Sequence, residues 1–374
     1  MSELINTHDN RATIRWKLLT GASALALTAY VSSGNFARAE DTSHPLVWFE
    51  LDGQFDSLTA PADVWHPTNL RPVLDHPVTG ILSQTPRIGY DMGGSITFQP
   101  EGSDWSISAA IKYGKAKHGP RFAHDQSYKT YPRSGGAYHA LTTYAFTSLH
   151  SVEETKHLIL DFQAGKDVGL GLFGGHASST VKIGARYAQF RERADGLMSA
   201  ATNIPHKYRG LYGGYFFNDE MHAERSFTGI GPSIAWNGSA PIAGSLDDGL
   251  AIDWGIDAAM LFGRQKTKVQ THSKIDQFSG YRIVPTPSGA LNYTPIVIHK
   301  SDTPHTYIRD KRVTVPNLGA FAGFSYRLGG EAKISLGYKA DFFFGAIDGG
   351  IATAKKESRG FYGPFASITI GVGD

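Results

Sequence analysis

Apolar residues recur at every second position through several long segments of this chain, with polar or small residues between them. The clearest are RIGYDMGGSITF (Arg87 to Phe98), DWSISAAIKYG (Asp104 to Gly114), AIDWGIDAAMLFG (Ala251 to Gly263) and AKISLGYKADFFFG (Ala332 to Gly345). A period of two is the period of a β-strand, whose side chains alternate between two faces. In the third segment Ile252, Trp254, Ile256 and Ala258 share one face, and Asp253 and Asp257 share the other. A soluble sheet also alternates, but several long copies behind an export signal point to a transmembrane β-barrel, apolar outside and polar inside.

The export signal lies at the N-terminus. Arg11, Arg15 and Lys17 precede an apolar stretch from Leu18 to Val31, and Ala37-Arg38-Ala39 fits a small-residue cleavage site. The stretch is shorter than the ~20 apolar residues a spanning helix needs. Cleavage between Ala39 and Glu40 is expected, with residues 1–39 as signal peptide and 40–374 as one barrel domain. The chain has 0 cysteines, which excludes disulfides and thiolate metal sites. Without residues 1–39, acidic and basic residues balance, so charge gives no reason to expect nucleic acid as a partner.

Ten principal strands are expected, near 45–55, 86–98, 103–114, 157–165, 178–190, 224–236, 249–264, 315–328, 332–346 and 358–372. Connections near 99–102, 166–177, 237–248 and 329–331 are short to moderate, with turn formers such as Asn237-Gly238 and Gly329-Gly330. Those near 56–85, 115–156, 191–223 and 265–314 are long and polar. This sorting fits an antiparallel up-and-down barrel with short periplasmic turns and long outer loops. The β-like pieces Ala137 to Phe146 and Tyr293 to His299 read either as hairpins above the membrane or as a further strand pair, making twelve. Phe98, Trp105, Trp236 and Tyr326 beside the short turns suit an inner aromatic girdle, and Tyr113, Phe262 and Phe342 an outer one.

The inward face is expected to carry charges of both signs. Its candidate lumen residues are Asp91, Lys112, Asp161, Lys182, Arg186, Asp253, Asp257, Arg327, Lys339 and Asp341, with Glu50, Asp52, Gln54 and Thr228 among the polar residues beside them. Asp161 is expected to meet Lys182 or Arg186, and Asp253 to meet Arg327. Ten to twelve strands leave a narrow interior.

FTGIGPSIAWNG (Phe227 to Gly238), HLILDFQAG (His157 to Gly165), VKIGARYAQF (Val181 to Phe190) and AFAGFSYRLGGEAKISLGYKADFFF (Ala320 to Phe344) resemble, in order and spacing, strands of the Legionella-type pore-forming outer-membrane protein family. The resemblance implies a pore-forming barrel in the outer membrane of a Gram-negative bacterium. The ending ITIGVGD departs from the terminal aromatic usual for barrel assembly.

Enzymatic readings are thin. His176-Ala177-Ser178 offers histidine and serine in a glycine-rich turn with no third member. His118, His124, His139, His150 and His157 lack short metal-ligand spacing and read as solvated loop histidines. The expectation is a narrow passive channel for ions or small hydrophilic solutes, with no cofactor, no metal and no covalent chemistry. Expected partners are outer-membrane lipid, the barrel-assembly machinery and the solutes; no oligomeric state follows. The alternative is a non-conducting barrel that displays long loops for adhesion or ligand binding.

Overall fold

The computed structural model describes residues 47–59, 87–100, 103, 105–131, 141–168, 178–203, 214–244, 248–285, 287, 291–328 and 331–372. The export signal, the Ala39–Glu40 cleavage site and the connection at 60–86 lie outside the described residues. The strands are β1 (Val47–Thr59), β2 (Arg87–Phe98), β3 (Trp105–Tyr131), β4 (Leu141–Asp167), β5 (Ser178–Asn203), β6 (Gly214–Gly244), β7 (Gly249–Pro285), β8 (Leu291–Leu328), β9 (Ala332–Asp348) and β10 (Lys356–Val372). Each pairs antiparallel with its sequence neighbours, and β1 pairs with β10 to close the barrel.

Closure gives every strand a partner on both sides through the turn-end half of the barrel, so the sheet has no edge there. Val47 pairs with Val372, which puts the start of β1 and the end of β10 level with the short turns. This is the turn end of the barrel.

The wall is uneven in height. β1, β2, β9 and β10 have 13, 12, 17 and 17 residues, whereas β7 and β8 have 37 and 38. At ~3.3 Å per residue, β8 runs for about 125 Å along its path. Much of the expected long connections is therefore strand. Residues 115–131, 141–156, 191–203, 214–223, 265–285 and 291–314 continue the ladders of β3–β8 in register, apart from local bulges. These stretches carry more polar residues than the turn-end half, with Met198, Phe217, Met221 and Val269 buried on their inner side. The piece at 293–299 belongs to β8 itself, so it is an extension and adds no strand.

Outward residues near the turn end form an exposed apolar band. Ile256, Phe262, Leu318, Phe324 and Leu336 are 48%, 57%, 53%, 58% and 60% exposed. Phe98, Trp105 and Tyr326 sit on this face beside the turns, and Tyr113 and Phe262 sit farther up. Trp236 lies partly buried against Trp254, edge to face with ring centroids 4.9 Å apart. The apolar surface of this molecule is thus on its outside, as expected of a barrel whose solvent there is lipid.

The buried apolar core is a thin layer across the lumen. Phe190, Phe227, Leu261, Val315, Phe343 and Phe361 are at most 1% exposed, with Ile159, Leu58 and Ile347 around them. Phe190 is the hub, with ring centroids 4.7 Å from Phe343, 5.8 Å from Phe361 and 6.0 Å from Phe227.

Candidate functional site

Along its axis the lumen has three compartments: a polar chamber at the turn end, the apolar layer, and a charged cluster beyond. The chamber has a volume of about 450 Å³. Odd positions of β7, β8 and β9 and even positions of β1, β3 and β5 face into it, because successive side chains of a strand point to opposite sides.

Nine of the ten candidate lumen residues line this chamber: Lys112, Asp161, Lys182, Arg186, Asp253, Asp257, Arg327, Lys339 and Asp341. The tenth, Asp91, lies against its upper margin, with Oδ2 2.8 Å from Lys112 Nζ. Lys112 also donates to Gln54 Oε1 at 3.1 Å and to Asp341 Oδ2 at 3.2 Å, which ties β3 to β1 and to β9 across the lumen.

Arg186 is the second brace. It donates from Nε to Asp161 Oδ1 at 2.7 Å, from Nη2 to Asp161 Oδ2 at 3.0 Å, and from Nη1 to Asp257 Oδ1 at 2.5 Å. Its Nη1 also donates to Asn317 Oδ1. Of the two expected partners of Asp161, Arg186 is the one that the structure joins to it. This fork–carboxylate pairing is what a buried guanidinium requires.

The register sets the expected partners Asp253 and Arg327 apart. Register places Gly323 opposite Asp253 and Arg327 opposite Gly249, four residues nearer the turn. Asp253 instead accepts from Lys333 Nζ at 3.0 Å and from Ser239 Oγ at 2.6 Å. Thr228 also departs from expectation. It faces outward, because the inward phase of β6 is set by Phe227 and Ser233, both buried.

His157 is corrected from a solvated loop residue to a buried one. It is 3% exposed, its ring lies 3.9 Å from that of Phe361, and its Nε2 is 3.0 Å from Asp91 Oδ1.

Beyond the apolar layer, charged groups fasten the segment that joins β9 to β10. Arg309 donates to Asp348 Oδ2 at 2.8 Å and to the carbonyls of Ile351 and Gly350, both at 2.5 Å. Arg225 donates to Gly349 O at 3.0 Å and to Glu192 Oε1 at 3.0 Å. Arg359 pairs with Glu192 and lies 3.5 Å from Glu357 Oε2. The chain enters this segment through Gly345, whose φ of 66° favours glycine. Residues 346–350 are all buried, so the segment folds over the lumen against the tall wall.

Burial opposes the charge of Asp348, yet hydrogen bonds from Arg309 and from the Lys355 and Gly350 amides outweigh it and hold its carboxyl below the usual range. Farther up β6, burial pushes the Asp219 carboxyl up to about 6, against a hydrogen bond from Ser273.

Sequence reasoning missed the aromatic layer, Asp56, Asn317 and the Arg225–Arg309–Asp348 latch. A signal existed for the layer. The even-numbered apolar residues Ile230, Ile234 and Trp236 set the outward phase of β6, which turns Phe227 inward.

No protein-family model matches the chain, and no curated protein matches it. Among solved structures it is similar to the transport unit of the autotransporter AIDA-I from Escherichia coli. That match has 7% identity, covers 93% of this chain and 98% of that one, and has a TM-score of 0.24. It is also similar to the translocator domain of the autotransporter NalP from Neisseria meningitidis (9% identity, 96% and 97% covered, TM-score 0.20). A third is the CymD monoaromatic hydrocarbon channel (7% identity, 89% and 90% covered, TM-score 0.23). Similarity of this strength carries no functional inference.

Proposed function

We propose that this chain is a narrow, gated pore of the outer membrane of a Gram-negative bacterium, passing ions or small hydrophilic solutes, and that the conformation described here is the closed one. One observation carries the proposal. A polar chamber and a charged cluster occupy the same lumen, separated by a single apolar layer. Hydrophobic constrictions gate channels by excluding water, because an ion cannot shed its hydration among phenylalanine rings without replacement ligands. The outward apolar band favours a membrane location, with β3–β8 standing above lipid on the outer side. The sequence resemblance to a pore-forming family points the same way. The proposal includes no catalytic chemistry.

The latch supplies the gate's second part. Arg225 and Arg309 hold residues 349–351 over the apolar layer, so opening requires this segment to leave and the rings to turn. Planar-bilayer recording of the folded protein tests the reading. Brief, small openings should become more frequent when Arg309 is replaced by alanine. Folded protein that never conducts, with or without the latch, rejects it.

A second reading rests on the tall wall. β3–β8 have 26 to 38 residues, far more than the ~9–11 needed to span a bilayer. A barrel that displays this wall for adhesion or ligand capture would need no open lumen.

A further inference from the structure

At the boundary between the polar chamber and the apolar layer, three potential ligands from three strands converge: Asp56 on β1, Asp91 on β2 and His157 on β4. They are 2%, 1% and 3% exposed. One ligand atom from each lies within 4.8 Å of the other two. We propose that these residues form a site for a single divalent transition-metal ion, reached from the polar chamber. The proposal stands on this cluster alone and does not depend on whether the barrel conducts.

The register builds the meeting point. Gly114 of β3 pairs with Asp91 on one side and with His157 on the other. A Cβ at position 114 would collide with Asp91 Oδ1 and with the His157 ring. Glycine there therefore lets two residues from strands that are not neighbours touch across the intervening one. Asp56 completes the group from β1, whose Gln54 pairs with Asp91. The imidazole is held by Phe361 and Phe190, at ring distances of 3.9 Å and 6.4 Å.

An independent observation points to a missing partner. Both carboxylate oxygens of Asp56 are fully buried and no donor side chain or amide among the described residues serves them; the group they face is the Asp91 carboxyl, close enough to share a proton. A buried carboxylate facing a second carboxylate is costly unless a proton or a cation stands between them. The local charge favours a cation. Asp56, Asp91 and Asp341 surround one ammonium, Lys112. The next cations, Arg186 and Lys339, are shared with Asp257 and Asp52. With Asp56 and Asp91 both ionised, one divalent ion would offset the two remaining negative charges, and its binding would release the proton that the two carboxyls otherwise share.

The donor set also restricts the metal. One imidazole with two carboxylates suits Zn²⁺, Mn²⁺ or Fe²⁺ better than the all-oxygen ions Ca²⁺ and Mg²⁺. Small side-chain rotations would close the cluster to bonds of ~2.0–2.2 Å. Three protein ligands leave a fourth position for water. Lys112 Nζ would hold Asp91 through Oδ2 while Oδ1 meets the ion.

The test uses the full chain, folded in detergent and stripped of metal, titrated with Zn²⁺ in a calorimeter. One ion per barrel is expected, with affinity falling more than about tenfold in Asp56→Asn and in His157→Gln. The exposed group formed by His222, Asp195 and Glu224 is the rival surface site. Zn²⁺ binding that survives Asp56→Asn and is lost in His222→Gln overturns the proposal, as does no binding at all. If the variants do not fold, X-ray absorption at the zinc edge of the unaltered barrel decides. A shell with one imidazole and oxygen donors supports the site, and two or more imidazoles overturn it.

Discussion

Replacing Phe190 by alanine should both weaken the barrel and open its lumen. Phe190 is 1% exposed and touches three other rings, with centroids at 4.7, 5.8 and 6.0 Å, as well as the ring of His157 at 6.4 Å. Truncation removes a whole phenyl ring from a layer walled by strands that cannot collapse inward, because their ladders close on themselves. Phe→Ala at buried sites costs about 3–5 kcal/mol, and the upper half of that range applies where collapse is poor. The lost aromatic pairs, worth roughly 0.5–1.5 kcal/mol each, are contained in that total and favour its upper half. A loss of about 4–5 kcal/mol is therefore expected in urea unfolding of the refolded barrel in detergent. The space left joins the polar chamber to the charged cluster and gives water a path. Channel openings in planar bilayers should become longer than in the unaltered protein. A loss below about 1 kcal/mol would show that the layer is not a packed constriction. Full destabilisation with unchanged conductance would refute the idea that these rings are the barrier to ions.

Three further outcomes follow from other parts of the molecule. Ile256→Arg, on the exposed band, should cost about 2–4 kcal/mol if that band meets lipid near mid-membrane; aqueous labelling of a cysteine at 256 but not at 257 would invert the faces. Arg186→Met leaves Asp161 and Asp257 without their shared cation and should cost about 3–5 kcal/mol by the same urea assay, whereas a loss below about 1 kcal/mol would show the brace to be dispensable. The latch carboxyl Asp348 is held below its usual value of 3.8, so its contribution is fully present above that pH and is lost as pH falls through the lower folded value. Channel activity should then stay low between about pH 5 and 8 and rise only in stronger acid, with Asp348→Asn removing that acid response.

Alternation in the primary sequence determines much of this molecule. The strand segments near the turn end, their faces and nearly all of the charged inner residues follow from a period of two. Ile252, Trp254 and Ile256 face out and Asp253 and Asp257 face in because no strand can put neighbours on the same side. Where polar residues dominate, as in residues 265–285, the pattern carries no phase, and strand looks like loop. Only pairing with β6 and β8 makes those residues a strand, through backbone hydrogen bonds that depend on the neighbour and not on the side chains. Contacts across the lumen are beyond the sequence for a different reason. Lys112 meets Asp341, and Arg186 meets Asp257, only after the ring has closed and register has set their heights. The Phe342-Phe343-Phe344 run shows the limit within a single strand. Its outer two rings belong to the outward face, and Phe343 alone turns inward to seal the lumen, a role set by the rings that β5, β6 and β10 bring to meet it.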